Sequence, residues 1–192
     1  MPEFVGHVEE WKESGYTYRD YLATDDDYRA EIVDGRLYVT DPPSRYHQEI
    51  DRNLLLQIGN FLVGKPYKVY TAPFGVRLFP KSDLSDDTYF EPDITVVCDL
   101  SKLDDRGCNG APDMIAEIMS PSHRQNDMLV KFRKYLRAGV REYWIVDPEE
   151  KVVYVCVLDN GDYRVTVCDE TQAVPVSVLP GCTVDLKAVF AD

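Results

Sequence analysis

The sequence predicts an α/β chain of the α+β kind, in which helices pack on a mixed sheet. Three observations predict it. Residues 113–119 read as a buried strand that runs directly into a helix. Residues 45–63 carry Ile50, Leu54, Ile58 and Phe61 or Leu62 at helical spacing. Asp34-Gly35 and Asn160-Gly161 each lie between two β-rich runs, which is a strong hairpin signal.

In chain order, residues 16–27 predict a short helix and an acidic loop. Residues 28–33 and 36–40 form the arms of the first hairpin. Alternation puts Arg29, Glu31 and Val33 on one face, with Tyr28, Ala30 and Ile32 on the other. Glu31 is thus either a solvent-facing strand residue or a carboxylate aimed into a site. Asp41-Pro42-Pro43-Ser44 breaks the strand and can cap the next helix. His47 precedes Ile50 by one helical turn, and its first reading is a packing residue near the buried stripe. Gly64-Lys65-Pro66 ends that helix.

Residues 67–72 and 76–79 read as strands about a Pro73-Phe74-Gly75 turn, and residues 80–88 as a polar loop. Residues 89–97 read as one strand. Pro92 marks its start or an edge, because proline cannot donate to a ladder. Asp93 opens its β-branched part. Residues 99–111 are a loop with Gly107 and Gly110. In the next strand Glu117 stands alone among Met114, Ile115, Ala116, Ile118 and Met119. An unpaired buried carboxylate is costly, so it needs a partner, a proton or a metal. Ser120-Pro121 signals a helix start. That helix runs to about residue 138, with Met128, Phe132, Tyr135 and Leu136 on its buried face and Gly139 as its cap. Residues 142–146 are a short buried strand, 151–158 and 163–168 the second hairpin, and 174–178 and 182–186 the closing strands.

At 192 residues the chain can bury a sizeable core, and residues 1–192 are expected to form one domain. Its 44% hydrophobic content is that of a globular protein. No apolar run approaches the roughly 18 residues needed to cross a bilayer, so no membrane partner is expected. Residues 1–15 hold four glutamates and no apolar stretch, unlike a signal peptide. The five cysteines are odd in number and form no Cys-x-x-Cys pair, which predicts reduced, buried thiols in a cytoplasmic protein. A net charge of −13 argues against broad non-specific nucleic-acid binding. Residues 122–141 run against that balance, with Arg124, Lys131, Arg133, Lys134, Arg137 and Arg141 facing only Asp127. The run is either a solvated helix face or a basic groove beside Glu117.

Asp93 and Glu117 are each embedded in an apolar strand. Two such carboxylates side by side repel unless a cation lies between them, and a hard divalent ion such as magnesium or manganese suits oxygen ligands. Lys131 sits at the border of the buried helical stripe, from which a long stem can bring its ammonium to the strand ends. Its alternative is a plain surface pair with Asp127.

Several segments resemble the Uma family of restriction-endonuclease-like proteins, within the PD-(D/E)XK nuclease superfamily. They are Glu31-Ile-Val-Asp-Gly35, Ser44 to His47, Thr71-Ala-Pro73, Glu91-Pro-Asp93, Glu117 to Ser122 and Ala138 to Asp147. The likeness covers roughly residues 16–190 and implies a restriction-endonuclease-like αβββαβ core. On that reading residues 1–43 are an N-terminal extension with a β-hairpin, 44–147 the nuclease core and 148–192 a C-terminal β extension. It implies Asp93 and Glu117 as metal ligands for Mg2+ or Mn2+, and Glu31 as an accessory acid. The superfamily pattern places its lysine where this chain has Met119, and the resemblance implies that Lys131 has taken its place. The implied chemistry is phosphodiester hydrolysis by a divalent-metal-dependent endonuclease, with DNA favoured over RNA. Lysine would orient the attacking water or help deprotonate it. His47, Arg124 and Lys134 would meet the substrate, and analogy implies a homodimer. The rival reading is a catalytically silent nucleic-acid- or protein-binding module on the same fold.

Overall fold

The computed structural model describes residues 14–23, 29–39, 42–120 and 126–191. In order, the elements begin with α1 (Tyr18–Leu22), β1 (Ala30–Val33), β2 (Arg36–Val39), α2 (Arg45–Leu62), β3 (Lys68–Thr71), β4 (Gly75–Arg77) and β5 (Ile94–Val97). β6 (Leu103–Asp104), β7 (Gly107–Asn109), β8 (Met114–Ile118), α3 (Asn126–Ala138) and β9 (Glu142–Asp147) follow. The chain closes with β10 (Val152–Asp159), β11 (Asp162–Asp169), β12 (Ala173–Pro175), β13 (Thr183–Asp185) and α4 (Leu186–Val189).

Six strands form the main sheet in the order β11-β10-β9-β8-β5-β3. β8 and β9 are parallel, joined by the α3 crossover, and the other neighbours are antiparallel. Taken along the chain, α2, β3, β5, β8, α3 and β9 give the αβββαβ order of a restriction-endonuclease-like fold. Strand alternation sorts the core. Met114, Ala116 and Ile118 face the side covered by α2 and the C-terminal strands, while Ile115 faces α3. The Ser44 hydroxyl caps α2 by accepting from the His47 N–H at 3.2 Å, and Ile50, Leu54, Ile58 and Leu62 form its buried stripe. Both hairpins turn on residues with positive φ: Asp34 and Gly35 at 48° and 75°, Asn160 and Gly161 at 52° and 89°. Glu142 ties the C-terminal extension down, accepting from Trp144 Nε1 at 2.8 Å and from the Val178 N–H at 2.9 Å.

The structure differs from the sequence reading at the 89–97 strand and at β4. Only Ile94–Val97 of the expected 89–97 strand joins the sheet. Tyr89 and Phe90 instead make isolated bridges to Ile32 and Val76, because Pro92 has no N–H to continue a ladder. The Ile32–Tyr89 bridge carries two backbone bonds of 2.8 Å and moors the first hairpin beside the sheet. β4 leaves the main sheet and pairs parallel with β7, inside the stretch read as a loop. The expected helix start at Ser120-Pro121 lies outside the described residues, and the described helix begins at Asn126.

The β4–β7 approach depends on a bare backbone. Gly107 has φ of 143°, and a Cβ there would meet the Gly75 carbonyl oxygen at 2.1 Å. Gly107→Ala should therefore cost about 1–3 kcal/mol or more. Urea denaturation reads this directly, and wild-type stability would contradict the packing described.

Candidate active site

The β5–β8 register pairs Ile94 with Ala116, and continuing it by one residue puts Asp93 opposite Glu117. Directly opposed residues share a face, which brings the two acids to the same end of the sheet. Asp93 is fixed at both oxygens. Oδ2 accepts from the Ile118 N–H at 2.7 Å, and Oδ1 accepts from His47 Nε2 at 3.0 Å. Glu31 reaches the same place from β1, where its Oε1 accepts from the Glu91 N–H at 3.1 Å. Lys131, on the first described turns of α3, closes the group. Its ammonium donates to Glu117 Oε1 at 2.9 Å and to Glu31 Oε1 at 3.0 Å. One turn further, the Tyr135 hydroxyl donates to the same Glu117 oxygen at 2.6 Å.

Burial pushes the Glu117 carboxyl up to about 7; Glu31 and Asp93 add repulsion, and Lys131 opposes them. For Lys131 burial acts to lower the pKa, but Glu117 and Glu31 outweigh it and hold the ammonium protonated. His47 follows the same pattern, its burial outweighed chiefly by Asp93, so its pKa lies above 6.5. Burial beside Glu117 raises Tyr135, which stays a neutral donor.

The acids, His47 and Lys131 line a cavity of about 1180 Å³. Glu31, Asp93, Glu117 and Lys131 come together in it, with His47 beside them. The packing reading of His47 is thereby corrected: the helix end carries its ring past the apolar stripe onto Asp93. Lys134 does not reach the cavity. Its ammonium bonds the Asp34 carboxylate and Thr88 Oγ1, at 3.3 Å from the latter, and so fastens α3 to the hairpin turn. Of the two readings of the α3 run, a solvated face or a basic groove, the first fits Arg133 and Arg137, which are exposed one turn apart, while Lys131 and Lys134 turn inward to acids. Arg137 lies over the Phe79 ring and Arg141 bonds Asp113. Arg124 and the side chain of Asp127 lie outside the described residues. Tyr135 is the site residue that the sequence reading treated only as core; its place one turn after Lys131 was the available signal.

The family model described as "Putative restriction endonuclease", Uma2, matches residues 17–187. This chain belongs to the Uma2 family. A solved structure, "a putative nuclease belonging to DUF820" from Anabaena variabilis ATCC 29413, is similar in fold, with a TM-score of 0.73 at 20% identity. The match covers 91% of the Uma2 chain described here and 97% of the Anabaena chain. No curated protein matches. Across the Uma2 chain no described helix is long and apolar enough to cross a membrane. Its five thiols are free, with Cys98 half-buried and the other four buried.

The raised Glu117 value sets a pH dependence. Folded, Glu117 keeps its proton up to about 7; unfolded, it loses it near 4.5. The folded chain binds the extra proton in that window, so stability falls as pH rises through it. His47 acts in the same direction, since the stability from its raised pKa is present below 6.5 and is lost above. In chelating buffer the melting temperature should drop by about 5 °C between roughly pH 5 and 8. Calorimetry of wild type and Glu117→Gln checks this. The variant should show the smaller drop, and a flat or rising wild-type profile would contradict the assignment.

Proposed function

We propose that this chain is a divalent-metal-assisted nuclease that hydrolyses phosphodiester bonds, with DNA as substrate. The observation that carries the reading is the Lys131 ammonium held between Glu117 and Glu31, beside Asp93. The family description as restriction endonucleases supports the choice of DNA. By the same family analogy the chain works as a homodimer.

The donor set fits a hard cation. Glu31 and Glu117 share one ammonium beside Asp93, and burial, with repulsion from Glu31 and Asp93 added, holds the Glu117 proton up to about 7. Asp93 and Glu117 would hold Mg2+ or Mn2+. Among the described residues no three His, Cys, Asp or Glu side chains close on one point, so water would complete the shell, as magnesium usually requires. When bound, the ion supplies Lewis-acid stabilisation of phosphate charge and a bound water of lowered pKa.

The chain's own residues do the rest. Lys131 is held protonated, so it acts as a hydrogen-bond donor to water or phosphate oxygen and offsets developing negative charge. It does not serve as the base. Glu31 Oε2 has no hydrogen-bond partner among the described residues and can accept from the attacking water. His47 and the Ile118 N–H fix Asp93, which keeps that carboxylate aimed at the site. Tyr135 and Lys131 both bond Glu117 Oε1, so Oε2 has no hydrogen-bond partner among the described residues and would be the oxygen offered to a ligand.

Lys131→Met should lower the cleavage rate by about 10²–10³-fold, the cost of losing one charge-stabilising donor. It should also destabilise the fold, because Glu31 and Glu117 lose a buried counter-charge. Restoring an ammonium from the neighbouring strand end, in Met119→Lys with Lys131→Met, should recover part of the activity. Manganese-dependent cleavage of plasmid and single-stranded DNA is the readout. Full activity of folded Lys131→Met would overturn the mechanism; no cleavage by wild type would leave a silent binding module.

A further inference from the structure

Resting on the nuclease reading, we propose that the substrate is an unpaired strand held against the β1–β2 hairpin. Tyr38 stacks on a base there, and Arg36 meets a phosphate.

The hairpin register pairs Glu31 with Tyr38 and Val33 with Arg36. Opposed residues share a face, so Tyr38 and Arg36 project to the same side as Glu31, whose carboxylate bonds Lys131 in the cavity. The other face is spent on the core, with Ala30 and Ile32 fully buried. Tyr38 is nevertheless 42% exposed, and it lines the cavity together with Arg36. Arg36 is exposed and has no ion-pair partner among the described residues. Neighbouring cations are engaged, Arg29 by Glu91 and Lys134 by Asp34. An aromatic ring and an uncommitted guanidinium beside an acid cluster are what a single strand uses: a stacking platform and a phosphate contact.

The recess of the reacting groups points the same way. Side-chain exposure is 9% for Glu117, 10% for Glu31, 15% for Lys131 and 18% for Asp93. A scissile phosphate therefore has to descend into the cavity. Duplex phosphates lie on a stiff cylinder with a persistence length of about 150 base pairs, and lowering one drives its neighbours into the walls. A single strand can bend in. Its bases also expose the π-faces that a duplex keeps stacked. Finally, two cations near the site are not free to follow a duplex backbone, since Lys134 and Arg141 are tied to Asp34 and Asp113.

The test is fluorescence anisotropy with a short labelled single strand of DNA and the same sequence as a blunt duplex, in calcium buffer. Parallel manganese cleavage assays use the full chain. Wild type should bind and cut the single strand in preference. Tyr38→Ala should weaken single-strand binding by about 5–100-fold, and Tyr38→Trp should keep it, since any large ring can stack. Arg36→Ala should lower affinity and reduce the salt slope by about one. Equal or tighter duplex binding, or wild-type single-strand binding by Tyr38→Ala, would overturn this proposal while leaving the nuclease reading standing. Failure to bind or cut either form would remove both.

Discussion

Glu31 and Glu117 come from strands that do not pair with each other, and both accept a hydrogen bond from the Lys131 ammonium. That shared cation is the constraint on which the rest depends. Two buried carboxylates at the end of a sheet repel, and neither can be left uncompensated without a cost of several kcal/mol. Lys131 links the hairpin strand, the central strand and α3 through one atom. Tyr135, one turn on, fixes Glu117 from the other side. The fold around it supplies rigidity. β8 sits between β9 and β5, so Glu117 is held by ladders on both edges of its strand.

The same arrangement carries the functional reading. One ammonium is shared by Glu31 and Glu117, His47 bonds Asp93, and burial holds the Glu117 proton up to about 7. A site built from hard oxygen donors, one of them ready to give up a proton, is suited to a small divalent ion. A protonated lysine at its edge is suited to an anion in the transition state. Met119, two residues after Glu117, contributes neither charge nor a polar group. Its backbone N–H bonds the Val146 carbonyl, and the residue lines the cavity. The lysine reaches the acids from the following helix.

Much of this was legible in the sequence, for identifiable reasons. Glu117 alone in an apolar strand announces a partner, because burial leaves a carboxylate few alternatives. Lys131 was legible because a helix of fixed pitch leaving that strand puts one long cation at the border of its buried stripe. Both hairpins were legible because Asp-Gly and Asn-Gly accept positive φ. His47 was read as core because periodicity reports which face a residue shares, not how far past the apolar stripe a ring extends. Whether the α3 cations form a groove or a solvated face stayed open in the sequence, because linear charge density ignores rotation about the helix axis. Their real partners, Asp34 and Asp113, lie far away in sequence. β7 and its pairing with β4 were missed because that pairing rests on the bare backbone of Gly75 and Gly107, which leaves no side-chain pattern.

The most direct test is calorimetric titration of manganese into the protein near neutral pH, alongside Asp93→Asn. The account predicts one site in the wild-type chain. It also predicts a binding heat that varies with the ionisation enthalpy of the buffer, because Glu117 must release its proton as the cation enters. The variant should lose the site. Equal manganese binding by both proteins, or wild-type heats without proton release, would contradict the assignment of Asp93 and Glu117 as the cation-holding pair.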